Sequence, residues 1–184
     1  FHDFAPGNGH PNVYTQALED RYGTANGLDD YCTKAQLLNA ESHRAIFEAW
    51  NQRMGADANA TSGVLLWMSN PAWPSTVWQL YDHYLAPTGA YYAVKRACRP
   101  LHIQLDPLNA GVSVINHRRE AATGLHARAT VYDLDGTLIA ESAREATVDA
   151  AAGTVTPCFQ LPAVDAPSGM HFVQLVLEAE NMPC

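Results

Sequence analysis

The spacing of apolar positions changes once along the chain, near residue 100. Before that point the apolar residues recur at helical intervals or in one continuous run. Tyr31, Ala35, Leu38, Ala45, Ile46 and Ala49 form a stripe at helical spacing and predict a long helix over residues 28–54. Asp29 and Asp30 fall in its first turn, where the helix dipole favours negative charge, and Gly55 follows as a stop. Gly63-Val64-Leu65-Leu66-Trp67-Met68 has no polar interruption, as expected of a strand buried on both faces of a parallel sheet. Ser69–Pro74 is a loop broken by two prolines, residues 75–85 read as an irregular or helical excursion, and residues 89–98 as a short helix. Residues 1–27 carry Pro6, Gly7, Gly9, Pro11, Gly23 and Gly27 and are expected to be loop, with one helical turn around Tyr14–Tyr22.

After residue 100 the period is two. Leu101–Leu105, Val112–Asn116, Leu125–Tyr132, Thr154–Leu161 and His171–Glu178 alternate or cluster as short strands, with turn residues between them. Strands at this spacing predict an antiparallel sandwich. The order before them (helix, buried strand, aromatic loop, helix) is that of one and a half units of a β/α barrel. The fold class expected is therefore α+β: a partial (β/α)8-barrel remnant over residues 1–100, then an immunoglobulin-like β-sandwich, expected to be truncated, over residues 101–184.

Composition narrows the function. Of 184 residues, 47% are apolar and 16% charged, the balance of a chain that buries a core. The net charge of −8 and the scattered Lys and Arg argue against a nucleic-acid partner. No apolar run reaches the length of a membrane span, so no membrane partner is expected. The chain begins at Phe1 without a leader, which reads as the interior of a longer polypeptide. Cys32, Cys98, Cys158 and Cys184 form no C-x-x-C pair, and the histidines include no H-E-x-x-H, so neither a metal nor a cofactor is expected. Asn59-Ala60-Thr61 fits a glycosylation sequon, a pattern common by chance.

Two stretches carry candidate chemistry. Asp133-Leu134-Asp135-Gly136-Thr137 matches the D-x-D-G-T string in which haloacid-dehalogenase-type phosphatases hold magnesium and a nucleophilic Asp. Its surroundings alternate as an antiparallel sheet, and no later Asp-Asp pair would complete a metal site, so a hairpin turn at Asp-Gly is the expectation. The second stretch is Gly63–Asp82. Trp67, Trp73 and Trp78 lie there beside Asn70, Tyr81 and Asp82. Aromatic faces stack on sugar rings, and amides and carboxylates bond to their hydroxyls, but large rings also fill cores. Trp67 and Asn70 fall at the C-terminal end of the expected barrel strand, which is where barrel active sites lie.

The strings W-M-x-N-x-x-W-x-S, from Trp67, and Y-Y-x-x-K-x-A-x-x-P-L-H-I-Q, from Tyr91, resemble the last barrel strand, loop and helix of family 2 glycoside hydrolases. The pattern is most similar to bacterial exo-β-D-glucosaminidases and plant endo-β-mannosidases. The resemblance implies part of a retaining enzyme that cleaves β-linked glucosamine or mannose, with no cofactor. It further implies secreted or periplasmic relatives, and as partners a carbohydrate substrate and the remainder of the parent enzyme. Its two catalytic glutamates would lie upstream of Phe1, leaving no catalytic residue here and an inactive isolated chain. Trp67, Asn70, Trp73, Trp78, Tyr81 and Asp82 would be substrate-binding, as walls of the sugar pocket, with Trp78 either stacking a neighbouring sugar or packing, and Tyr81 and Asp82 either reaching the site or bracing the loop. Glu41 and Glu48 match neither catalytic motif and are expected to have solvated or helix-pairing roles. Ser69 and Pro71 depart from the residues expected beside Asn70. The alternative is a non-catalytic sandwich that binds carbohydrate or another domain; the few aromatics after residue 100 (Tyr132, Phe159, Phe172) speak against it.

Overall fold

The structure is a computed structural model describing residues 11–55, 60–74, 79–164 and 170–179. It divides into two compact units, Phe1–Phe47 with Leu65–Ala97, and Glu48–Val64 with Cys98–Cys184.

The first unit is helical. Helix α1 spans Pro11–Tyr22, where the Gly and Pro content predicted mostly loop. Pro11 is the first helical residue, where its missing N–H costs nothing. Gly23 ends the helix at φ 73°, donating to the Glu19 carbonyl at 2.8 Å. The punctuation thus brackets a helix instead of replacing it. Helix α2 runs Leu28–Asn51, close to the predicted span. At its start Asp30 accepts from the Asn26 N–H at 2.8 Å and pairs with Lys34 at 2.9 Å. These bonds, the backbone one first, hold the Asp30 carboxyl below the usual carboxylate range. Leu18 of α1 and Leu38 of α2 are buried, and the Tyr22 hydroxyl donates to Glu41 at 2.8 Å. Helix α3 is Gly89–Ala97. Its first N–H donates to the Gln36 side chain at 2.6 Å, and a Cβ at Gly89 would lie 2.4 Å from the Gln36 carbonyl oxygen. Only glycine permits that approach.

One predicted element is not formed. Gly63–Met68 has no strand geometry, and Leu65 and Trp67 are exposed. A strand exists only with a neighbour to complete its hydrogen bonds, and no strand pairs with this run among the described residues. The apolar sequence was legible; the partner it requires is not among those residues.

The second unit is a sandwich of two three-stranded antiparallel sheets. One has the order β1-β2-β5, with β1 Leu101–Asp106, β2 Gly111–Asn116 and β5 Thr154–Gln160. The other has the order β4-β3-β6, with β4 Arg144–Ala150, β3 Ala122–Asp133 and β6 His171–Glu178. Strand β3 shows the alternation plainly: Leu125, Ala127, Ala129 and Val131 point inward, while His126 and Arg128 face out. Leu101, Val114, Leu125 and Ala150 pack as the centre of the core, joined by Val148, Cys158 and Leu177. Asn116, fully buried, donates to the carbonyls of Glu120, Ala150 and Ala151 and accepts from the Arg118 N–H. It thereby stitches the end of β2 to the chain leaving β4. Strand β4 was not predicted; its inward residues are Ala146, Val148 and Ala150, too small to make a strong pattern.

The Asp133–Thr137 string is a hairpin turn. Asp133 N–H donates to Thr137 at 2.9 Å, Gly136 adopts φ 84°, and Ile139 N–H returns to Val131 at 2.9 Å. The Asp135 carboxylate accepts from the Thr137 N–H at 2.8 Å, and such bonds hold its pKa low. These carboxylates build a turn.

Candidate functional site

The loop after Met68 is fixed at its base, and its large rings stand outward. Tyr81 N–H donates to the Ser69 carbonyl at 2.9 Å, joining the two ends of the stretch. Trp67 is 76% exposed and Trp73 53% exposed, and the Trp67–Met68 peptide is cis. Asn70 is half-buried; its Oδ1 accepts from the Ser69 hydroxyl at 2.8 Å. Trp78 lies outside the described residues.

Tyr81 and Asp82 lead into a tight turn. One Asp82 carboxylate oxygen accepts from the N–H groups of Tyr84 and Ala86, both at 2.8 Å, while Leu85 sits at φ 64°. Asp82 therefore braces the turn, with its other oxygen uncommitted to it. The turn closes where Thr88 N–H donates to the Leu80 carbonyl at 2.9 Å, and the Thr88 hydroxyl donates to Gln79 and Leu80 at 3.0 Å.

The structure adds Tyr91, which was quoted in the motif but not chosen as a site residue. Its ring lies 5.1 Å from that of Tyr81, tilted by 49°, and Lys95 Nζ stands 5.8 Å above it. Partial burial, then the hydrogen bond and charge of Tyr91, push the Tyr81 phenol above its ordinary pKa. The signal was available: Tyr91 and Lys95 are four apart on α3 and share a face.

Neither helix glutamate is free for a pair-wise reaction. Glu41 accepts from Tyr22, and Glu48 pairs with His102 Nε2 at 3.0 Å. Seven helical residues separate them by about 10 Å along the axis, twice the ~5 Å at which retaining glycosidases hold their carboxylates. His102 and Gln104, the polar members of the alternation on β1, are buried, with Gln104 donating to the Glu48 carbonyl and the Gln52 side chain, both at 2.9 Å. Among the described residues no His, Cys, Asp or Glu group is placed to hold a metal, and no helix is long and apolar enough to cross a membrane. Cys32, Cys98 and Cys158 are free thiols, and burial pushes Cys98 and Cys158 up. A cavity of about 350 Å3 lies on the β1-β2-β5 sheet.

Three relatives give this geometry a context. An exo-β-D-glucosaminidase of Streptomyces avermitilis is 39% identical over 166 residues, covering 90% of this chain and 18% of its own length. A mannosylglycoprotein endo-β-mannosidase of Lilium longiflorum is 36% identical over 116 residues, 63% of this chain and 12% of that enzyme, so the likeness is not confined to bacteria. The crystal structure of an exo-chitosanase of Amycolatopsis orientalis superposes with a TM-score of 0.86 at 37% identity, over 92% of this chain and 20% of that one. The chain thus spans between about an eighth and a fifth of these relatives' length. No family model matches it.

Proposed function

Because this chain belongs, as a segment, to the family 2 glycoside hydrolases of its exo-β-D-glucosaminidase and β-mannosidase homologues, we propose that its parent enzyme hydrolyses β-linked glucosamine or mannose and that this segment walls the sugar pocket. Trp67 is the stacking face for the sugar that is cleaved. Asn70 and Trp73 lie beyond it on the loop, with Trp78 for a neighbouring sugar. Tyr81 and Asp82 brace that loop from below, and Asp82's uncommitted oxygen is available to a hydroxyl. The two reacting carboxylates come from other parts of the parent polypeptide. One protonates the leaving oxygen; the other attacks the anomeric carbon, and water then releases the sugar with retention.

The observation that carries this reading is the exposure of Trp67 and Trp73 on a loop whose base is hydrogen-bonded. Large rings presented on a fixed base mark a surface made for a ligand or another part of a protein. The choice of sugar follows the relatives; a single-residue variant of the Amycolatopsis enzyme has been crystallised with PNP-β-D-glucosamine. The test is steady-state hydrolysis of a chromogenic β-D-glucosaminide and its β-D-mannoside counterpart by the parent enzyme. Trp67→Ala is expected to lower kcat/KM about 100-fold, which is about 2.7 kcal/mol of transition-state binding. The 184-residue chain alone is expected to turn over neither substrate. Turnover by the chain alone, or an unimpaired Trp67→Ala enzyme, would overturn the reading.

A further inference from the structure

The cavity on the sandwich has the chemistry of a binding site in its own right. It opens on the β1-β2-β5 sheet, with a volume of about 350 Å3, at the low end of the roughly 300–1,000 Å3 of ligand pockets. Its polar lining comes from Gln52, Asp106, Asn109, Ser113 and Gln160, and Phe159 supplies a ring. The free hydrogen-bonding atoms follow from the bonds already made. Asp106 spends one oxygen on the Leu108 N–H at 2.9 Å, which leaves the other. Asn109 accepts from the Gly111 N–H at 2.7 Å through its oxygen, which leaves its NH2 group. Gln160 donates to the Asn109 carbonyl at 3.3 Å, which leaves its oxygen, and Gln52 accepts from Gln104, which leaves its NH2 group. The lining thus offers two amide donors, an amide acceptor, a carboxylate oxygen and a hydroxyl.

A break in the sheet shapes this place. The β2–β5 register shifts between Val112 and Ser113, so that Val112 faces Phe159, Ser113 faces Pro157, and Cys158 has no partner residue on β2. Such irregularities re-aim side chains and recur beside functional sites. No cation lines the cavity, so nothing there attracts an anion. Mixed donors and acceptors around a small volume, with one ring and one carboxylate, match a polyhydroxylated ring, and the carboxylate additionally suits an ammonium substituent.

We propose that this cavity is a sugar-binding subsite, lined by none of the tryptophan-loop residues, that holds one unit of a β-linked oligosaccharide and takes an amino sugar in preference to a neutral one. The choice of hexosamine as the preferred unit rests on the proposed activity; the site itself rests on the lining.

The test is titration of the 15N-labelled 184-residue chain with glucosamine hexasaccharide and, separately, with mannohexaose, read by amide chemical shifts. Shifts are expected at Asn109, Ser113, Phe159 and Gln160, saturating at a lower concentration of the amino sugar. Asp106→Asn keeps the oxygen that caps the turn and removes the charge, and is expected to raise the Kd for the amino sugar at least fivefold while sparing mannohexaose. Gln160→Ala should weaken both ligands, and Trp67→Ala should leave these particular shifts unchanged. Absence of shifts at these four amides with both sugars, or shifts insensitive to both cavity variants, overturns the subsite. Either result leaves the Trp67→Ala kinetics of the parent enzyme to be judged separately.

Discussion

The two units bury their apolar residues to different degrees. In the sandwich, Val112, Val114, Ile115, Leu125, Ala127, Ala129 and Val131 are at most 1% exposed, while Leu108 and Leu134, in or beside turns, and Phe172, near the start of β6, are left outside. In the helical unit Leu18, Leu38 and Ala90 are buried, while Leu65, Trp67, Trp73, Tyr84, Leu85 and Tyr92 stand exposed, most of them on the loop between α2 and α3 or just inside α3. An antiparallel sandwich closes its core with its own strands. A continuous apolar run, by contrast, needs neighbouring strands before it can be one. The described strands of the sandwich thus bury one another's apolar residues, whereas the tryptophan loop presents surface that suits something else.

Mutations sharpen this contrast. The largest effect is expected at the sandwich centre: Leu125→Ala should cost about 2–5 kcal/mol through lost burial and a residual cavity. Leu65→Ala in the same chain should stay within about 0.5 kcal/mol. Urea unfolding followed by far-ultraviolet circular dichroism reads both, and equal losses would erase the contrast. Next comes Asn116→Ala, expected to cost about 2–3 kcal/mol because three carbonyls lose their donor in a buried setting. The same urea series checks it, and a neutral result would mean that water replaces the amide.

A smaller effect is expected in the helical unit. Gly89→Ala places a methyl 2.4 Å from the Gln36 carbonyl oxygen and should cost about 1–3 kcal/mol by forcing α3 off α2. Thermal unfolding would register it as a lower midpoint. The smallest effect is set by pH. Burial, followed by the hydrogen bond to Glu41, raises Tyr22 from its ordinary 10.0 to about 12. The folded chain therefore holds that proton more tightly than the unfolded one. The associated stability is whole below pH 10 and is lost as pH climbs toward 12. Tyr22→Phe should lack that part of the alkaline loss, and phenolate absorbance should show one late-titrating tyrosine fewer.

Much of this architecture was legible in the chain, and the exceptions have physical causes. Helices α2 and α3 were clear because their apolar residues keep one face, and β1, β2, β3, β5 and β6 were clear because they alternate or run apolar. Helix α1 was obscured by glycine and proline that sit at its ends, and β4 by inward alanines that give little contrast. The failed strand at Gly63–Met68 shows the limit of local pattern: propensity names a conformation, but the hydrogen bonds must come from another segment. On β1, the burial of His102 and Gln104 was not legible, because sequence cannot show that Glu48 and Gln52 would meet them. At the candidate site, the cluster of tryptophans was visible in composition. Bracing was one of the two roles expected of Asp82, whereas the pairing of Tyr81 with Tyr91 was not visible, since it depends on how the turn at residues 82–86 folds back.

The most direct measurement is a crystal structure of the parent enzyme with a bound glucosaminide. The account predicts a sugar ring stacked on Trp67, with Asn70 and Trp73 beside it and two glutamates from other parts of the polypeptide flanking the glycosidic bond. A tryptophan loop that carries no sugar at saturating ligand, or Trp67 packed into a core away from any cleft, would contradict it.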